Sequence, residues 1–291
     1  MSYKHWLAAG GMWAVLAVVA WAQPPYKALI VDGQNAHNWK ETTPVLKKLL
    51  AESKLFTVDV ATAPAKGQDN SGFQPNFAAY KLVVMNYQGD AWPEATLKSL
   101  ADYVSGGGGM LVYHFACAAF PKSKEYNDMI GVGGWGGRTE KDGPYLRLRD
   151  GKFVQVQQPG PSGNHGPMQP FQLIVRDCEH PITKGLPEKF MHVSDELYGW
   201  LRGPGKNVSV LASAFAPKDK GGSDEHEPIL MTIAYGQGRV CQNALGHTAK
   251  ELKSVSFIAT FLRCAEWTAT GKVTQAVPAD FPTADQASVR E

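Results

Sequence analysis

Between residues 26 and 113 the chain alternates apolar, β-rich runs with segments of helical periodicity, and few folds accept that alternation. YKALIVDG (26–33) is an apolar run closed by Asp-Gly and reads as a first buried strand. ETTPVLKKLLAESKL follows, placing Val45, Leu46, Leu49 and Leu50 on one helical face, with Pro44 suited to a first turn. FTVDVAT and KLVVMNY read as strands two and three. PEATLKSLADYVSG sets Leu97, Leu100, Ala101 and Val104 at helical spacing with Gly106 as its cap, and GMLVYH is strand four. Strands that are apolar on both faces need cover on both faces, so the pattern predicts a mostly parallel central sheet between helical layers.

Beyond residue 120 the rhythm changes. Residues 121–205 are loop-rich, with short strands expected at PYLRLR, KFVQVQ and FQLIVR. VSVLASAF, EPILMTIAY and RVCQNALG add further strands, the last two joined by the turn Gly236-Gln237-Gly238. ELKSVSFIATFLRCAEW reads as an amphipathic closing helix, and residues 271–291 as a loose polar tail. No repeat or linker divides the chain, so residues 23–270 form one α/β domain. Ahead of it, a charged start, the apolar run WLAAGGMWAVLAVVA and Ala20-Trp21-Ala22 have the form of a signal peptide over residues 1–22. The mature protein is expected to begin near Gln23 in a periplasmic or secreted location, with no membrane span after cleavage.

A net charge of +2, from 29 basic and 27 acidic residues without a basic run, argues against nucleic acid as a partner. Four cysteines, Cys117, Cys178, Cys241 and Cys264, allow three pairings that spacing does not separate, and none forms a C-x-x-C pair. The chain gives no indication of oligomeric state.

In open parallel sheets ligands bind beyond the carboxyl ends of the strands. Asn35, His37 and Trp39 follow strand one, Asn86 and Tyr87 follow strand three, His114 ends strand four, and RVCQNALG runs into Gly246-His247. Two histidines ending separate strands, with a third near strand one, mark a shared site. Cys117, three residues after His114, is the rival for chemistry: a thiol just past a strand is where a nucleophile elbow would put it. The elbow needs G-x-C-x-G, however, and here the thiol sits in His-Phe-Ala-Cys-Ala-Ala.

In HVSDELYGW (192–200), Asp195 and Glu196 are adjacent and flanked by Tyr198 and Trp200. Neighbouring side chains on an extended chain point in opposite directions, so one carboxylate at most faces a given site. GVGGWGG (131–137) matches G-x-G-x-x-G formally but follows a helix instead of a first strand. It reads as a loop that brings Trp135 and Arg138 to a ligand. His165, His180 and His226 are expected in loops.

DGQNAHNW, GMLVYHFA, HPITKGLP, SDELY and YGQGRVCQNALGH, in that order, resemble the ThuA-like (trehalose-utilisation) family from about Tyr26 to Trp267. The resemblance implies the flavodoxin-like three-layer α/β sandwich of class I glutamine amidotransferases without the amidotransferase triad. It also implies a part in disaccharide catabolism, including trehalose and related 3-keto sugars, and assigns His37, His114, Glu196 and His247 as motif residues, with His180 in a shared loop.

Together these readings predict an exported enzyme acting on a carbohydrate, a glycoside or 3-keto-sugar, with His114, His247, Glu196 and His37 as its catalytic set. Asn86, Tyr87, Trp135, Arg138 and Tyr198 would line the sugar. His114, His247 and Glu196 could act as acid–base groups or ligate a divalent metal such as zinc. The rival readings are a non-catalytic carbohydrate-binding or accessory protein, and a cysteine hydrolase using Cys117.

Overall fold

The computed structural model describes residue 1 and residues 25–291; the expected leader, apart from Met1, lies outside the described residues. Thirteen strands follow in chain order: β1 (Tyr26–Asp32), β2 (Phe56–Thr62), β3 (Leu82–Met85), β4 (Gly109–Tyr113), β5 (Tyr145–Arg149), β6 (Lys152–Val156), β7 (Asn164–His165), β8 (Gln169–Val175), β9 (Lys189–Asp195), β10 (Tyr198–Gly199), β11 (Val208–Ala216), β12 (Glu225–Tyr235) and β13 (Gly238–Asn243). The helices are α1 (Trp39–Glu52), α2 (Glu94–Ser105), α3 (Lys124–Ile130) and α4 (Val255–Thr270).

Nine strands form one sheet in the order β2-β1-β3-β4-β13-β12-β11-β8-β9. From β2 to β13 every junction is parallel; from β13 to β9 every junction is antiparallel. The parallel half carries the flavodoxin-like order, with β13 as its fifth strand, and its strand order reverses between β1 and β3. The α/β sandwich expected from the alternation is present. α1 and α4 contact each other over one face, and α2 and α3 over the other.

The parallel strands are buried on both faces, as their continuous apolar runs require. Ile30 pairs with Val60 on one side and Val84 on the other and is fully buried. Each such side chain contributes about 1.5–3 kcal/mol by leaving water. The buried stripe of α1 is Thr42, Thr43, Leu46 and Leu50, rotated from the predicted Val45–Leu50 face because both threonines bond to Asn86 behind the sheet edge.

Two expectations are corrected. α4 is buried nearly all round, polar positions included, and so is not amphipathic. The reason is the tail, which is docked against it. Glu266 accepts from the Thr274 amide and hydroxyl, and Arg263 donates to the carbonyls of Gln275 and Pro181. Val277 and Phe281 pack on the core. The amide of Met191 on the outer strand β9 donates to the Thr283 carbonyl at 2.8 Å, so the tail also covers a sheet edge. Among the cysteines, Cys241 and Cys264 pair between β13 and α4, while Cys117 is buried and Cys178 exposed. A cleft of about 850 Å³ lies between α2 and α3, lined by residues such as Trp92, Phe120 and Tyr235 and by none of His37, His114, Glu196 and His247.

Candidate active site

His37 is fixed by the turn that leaves β1. The Asn35 side-chain carbonyl accepts from the His37 amide at 3.0 Å, and the Asn35 amide group reaches Asn86 at 3.3 Å. Asn86 in turn donates to Thr42 and Thr43 on α1 at 3.1 and 3.0 Å. The backbone that carries the imidazole is thus anchored through one polar chain to the end of β3 and to α1.

His114 follows β4 directly. Its backbone lies in the left-handed region, with φ of 44°, where a non-glycine residue costs about 1–3 kcal/mol. The ring is 1% exposed. Its Nδ1 lies 2.8 Å from the Ala244 carbonyl oxygen, just past β13, and its Nε2 lies 2.8 Å from the Tyr198 hydroxyl. A carbonyl only accepts, so Nδ1 carries the proton in the neutral ring and Nε2 carries the lone pair, which receives the Tyr198 O–H.

The turn after β9 separates its two acids. Asp195, fully buried, accepts from the amides of Glu196, Gly246 and His247 and is bonded to His192 Nε2 at 2.8 Å. That arrangement pins the Gly246-His247 corner beside it. Gly246 is required there: its φ is +97°, and a Cβ would stand 2.8 Å from the Phe257 ring. Glu196 points the other way. Its carboxylate lies 3.4 Å from His114 Nε2, 3.4 Å from His165 Nε2 and 3.6 Å from His247 Nε2. The His37 ring stands 4.9 Å from that of His114 and 4.5 Å from that of His247, centroid to centroid.

The electrostatics follow from this crowding. Burial disfavours the charged form of Glu196, but the closeness of His114, with His247 and His165, outweighs it and holds the carboxyl below its usual range. Burial, reinforced by His114, drives His37 down to about 3, so this ring stays neutral. Tyr198 is pushed well above 10 by burial and remains a phenol. The cluster at neutral pH is one anion surrounded by imidazoles.

The ThuA family model, described as trehalose utilisation, matches residues 27–268. The chain belongs to the ThuA family. A ThuA-like protein of Parabacteroides merdae ATCC 43184 shares 45% identity and superposes with a TM-score of 0.89, over 91% of this chain and 98% of that one. Another, from Bacteroides uniformis ATCC 8492, has 22% identity and a TM-score of 0.59 over 88% of this chain and 96% of that one, a likeness that speaks to the fold alone. Comparison with curated proteins gives no match.

In this ThuA-family chain, the four motif residues His37, His114, Glu196 and His247 share one place. Tyr198 and Trp135 adjoin it, with ring centroids 4.7 Å apart. Three expected sugar contacts are instead buried and committed to protein partners, which corrects that expectation. Asn86 is spent on positioning His37 and α1. Tyr87 is fully buried against Trp92 and Phe120, its hydroxyl donating to the Asp90 carbonyl. Arg138 is buried with its guanidinium donating to the carbonyls of Gly134 and Ala119 and to Asn127, which ties the glycine loop to the segment after His114. His180 packs on Trp267 and does not join the cluster.

Cys117 is fully buried, and burial drives its thiol up to about 12, the reverse of an activated nucleophile. Two contributors were missed. His165, expected as a loop residue, is brought in because β7 pairs with β10, setting His165 opposite Tyr198. Its only signal was a histidine set among glycines in Gly163-Asn164-His165-Gly166. Phe115 packs edge-on against His37 and beside Trp135, so aromatic rings wall the cluster.

Proposed function

We propose that this protein is an exported enzyme that processes a carbohydrate, a glycoside or 3-keto-sugar, by proton transfer at the Glu196 cluster. One observation carries the reading: a buried, ionised carboxylate stands within 3.6 Å of three imidazoles at the carboxyl end of a doubly wound sheet. The trehalose-utilisation description of the family supports a carbohydrate as the substrate class. His165 and His247, with side chains 39% and 21% exposed, are the rings that can exchange protons with a sugar, and Glu196 stabilises whichever is charged. Tyr198 acts as a fixed donor. Trp135 and Phe115 offer apolar faces for a sugar ring.

The test is turnover by the mature protein on a panel of glycosides and 3-keto-glycosides, with products identified by mass spectrometry. Turnover lost in Glu196→Gln supports the reading. Sugars that bind without reacting would point instead to a carbohydrate-binding protein. For export, the protein should be recovered from the periplasmic or extracellular fraction with its N-terminus near Gln23; an intact N-terminus in the cytoplasm would overturn that part.

A further inference from the structure

Glu196 presents its two oxygens to different partners. Oε1 faces His165 and His247, whereas Oε2 is buried, has no hydrogen-bond partner and lies 3.4 Å from His114 Nε2. The tautomer of His114 is set by the Ala244 carbonyl, so its Nε2 carries no proton and offers that oxygen none; its lone pair is met by the Tyr198 hydroxyl. Glu196 Oε2 is therefore left with no proton donor in a buried gap, beside a nitrogen that can turn its lone pair from Tyr198 to a cation. His37 completes the arrangement: ligand atoms of His37, His114 and Glu196 all lie within 4.8 Å of one another. Tetrahedral coordination with bonds of about 2.1 Å separates ligand atoms by about 3.4 Å, which is the spacing from His114 to Glu196.

We propose that His37, His114 and Glu196 hold one divalent transition-metal cation of the zinc type. Two imidazole nitrogens and one carboxylate oxygen favour zinc or cobalt over magnesium or calcium, which prefer all-oxygen shells. The His114 ring is held from behind by the Ala244 carbonyl, and the backbones that carry His37 and Glu196 are held at their amides by Asn35 and Asp195. The three come from separate segments, after β1, β4 and β9, so the site forms only in the folded chain. Three protein ligands leave a fourth position open. The Tyr198 hydroxyl, 2.8 Å from His114 Nε2 and 3.3 Å from His37 Nε2, turns off those lone pairs when they ligate and borders that position. This set replaces the His114–His247–Glu196 trio expected from sequence: His247 sits on the other oxygen, beside His165, where both remain free to carry protons. The site deepens the carbohydrate-processing reading and rests on it for what the cation would act upon.

The experiment uses the full mature protein, stripped with a chelator and titrated with Zn²⁺ and Co²⁺ by calorimetry and visible absorption. One equivalent per chain should bind, with the intense d–d bands of four-coordinate cobalt. Glu196→Gln and His37→Ala should each weaken binding by more than the roughly 100-fold that loss of an outer-shell partner costs, with the circular dichroism unchanged, whereas His180→Ala and His226→Ala should bind as the parent does. A folded, stripped protein that takes up neither ion would overturn the site, as would unaltered affinity in either cluster variant. Turnover by such metal-free protein would leave the carbohydrate reading standing without the cation; uptake without turnover on any sugar would do the reverse.

Discussion

Asp195 and Glu196 are consecutive residues whose carboxylates serve opposite sides of one turn. Asp195 gathers three backbone amides and an imidazole and touches no open space, while Glu196 is given to the histidines. The first acid fixes where the second, and His247, can stand.

That separation predicts two different failures. Glu196→Gln should keep the fold and lower turnover by about a hundred- to ten-thousand-fold, the range of a lost acid–base group. Asp195→Ala strands His192 and the amides of Gly246 and His247 in the interior, and should cost about 3–5 kcal/mol of stability. Urea denaturation beside steady-state rates separates the two; equal loss of stability in both variants would refute the division.

His37 makes stability pH-dependent. Unfolded, it titrates near 6.5; folded, burial and then His114 keep it neutral down to about 3. Below 6.5 the unfolded chain binds a proton that the folded chain refuses. The contribution is therefore complete above about 6.5 and is lost as pH falls toward about 3. In chelator-treated protein the denaturation midpoint should drop across that window, and His37→Gln should flatten the drop. A parent and variant with the same pH profile would count against it.

Cys117 should be inert. With its thiol buried and raised to about 12, native protein treated with iodoacetamide should carry label at Cys178 alone and retain turnover. Peptide mapping reads this directly. Label on Cys117 with loss of activity would restore the nucleophile reading.

Truncation after Gly271 should destabilise the protein by about 3 kcal/mol or more, the scale of removing a packed aromatic side chain. It uncovers Val277 and Phe281 contacts, leaves Arg263 and Glu266 without their partners, and bares the β9 edge. Thermal unfolding and light scattering would show a lower midpoint and earlier aggregation; an unchanged midpoint would make the tail dispensable.

The parallel half of the fold was legible because buried strands and amphipathic helices leave unlike periodicities, and His37, His114 and His247 were legible because strand ends are where such sheets bind ligands. What stayed hidden depends on contacts between distant segments. His165 reaches the cluster through a two-residue pairing, which has no period to detect. Asn86, Tyr87 and Arg138 stand at the right places along the chain, but their side chains are claimed by Thr42 and Thr43, by Trp92, and by backbone carbonyls respectively. The tail reads as loose because it is held largely through its backbone, to which composition is blind.

The left-handed backbone at His114 has a bearing on engineering. Glycine would relax that corner and still allow β4 to end where it does. The same change would empty a buried ring site and strand the Ala244 carbonyl and the Tyr198 hydroxyl, so relief of the backbone is no route to a more robust protein. Any stabilisation campaign on this scaffold should hold that codon constant.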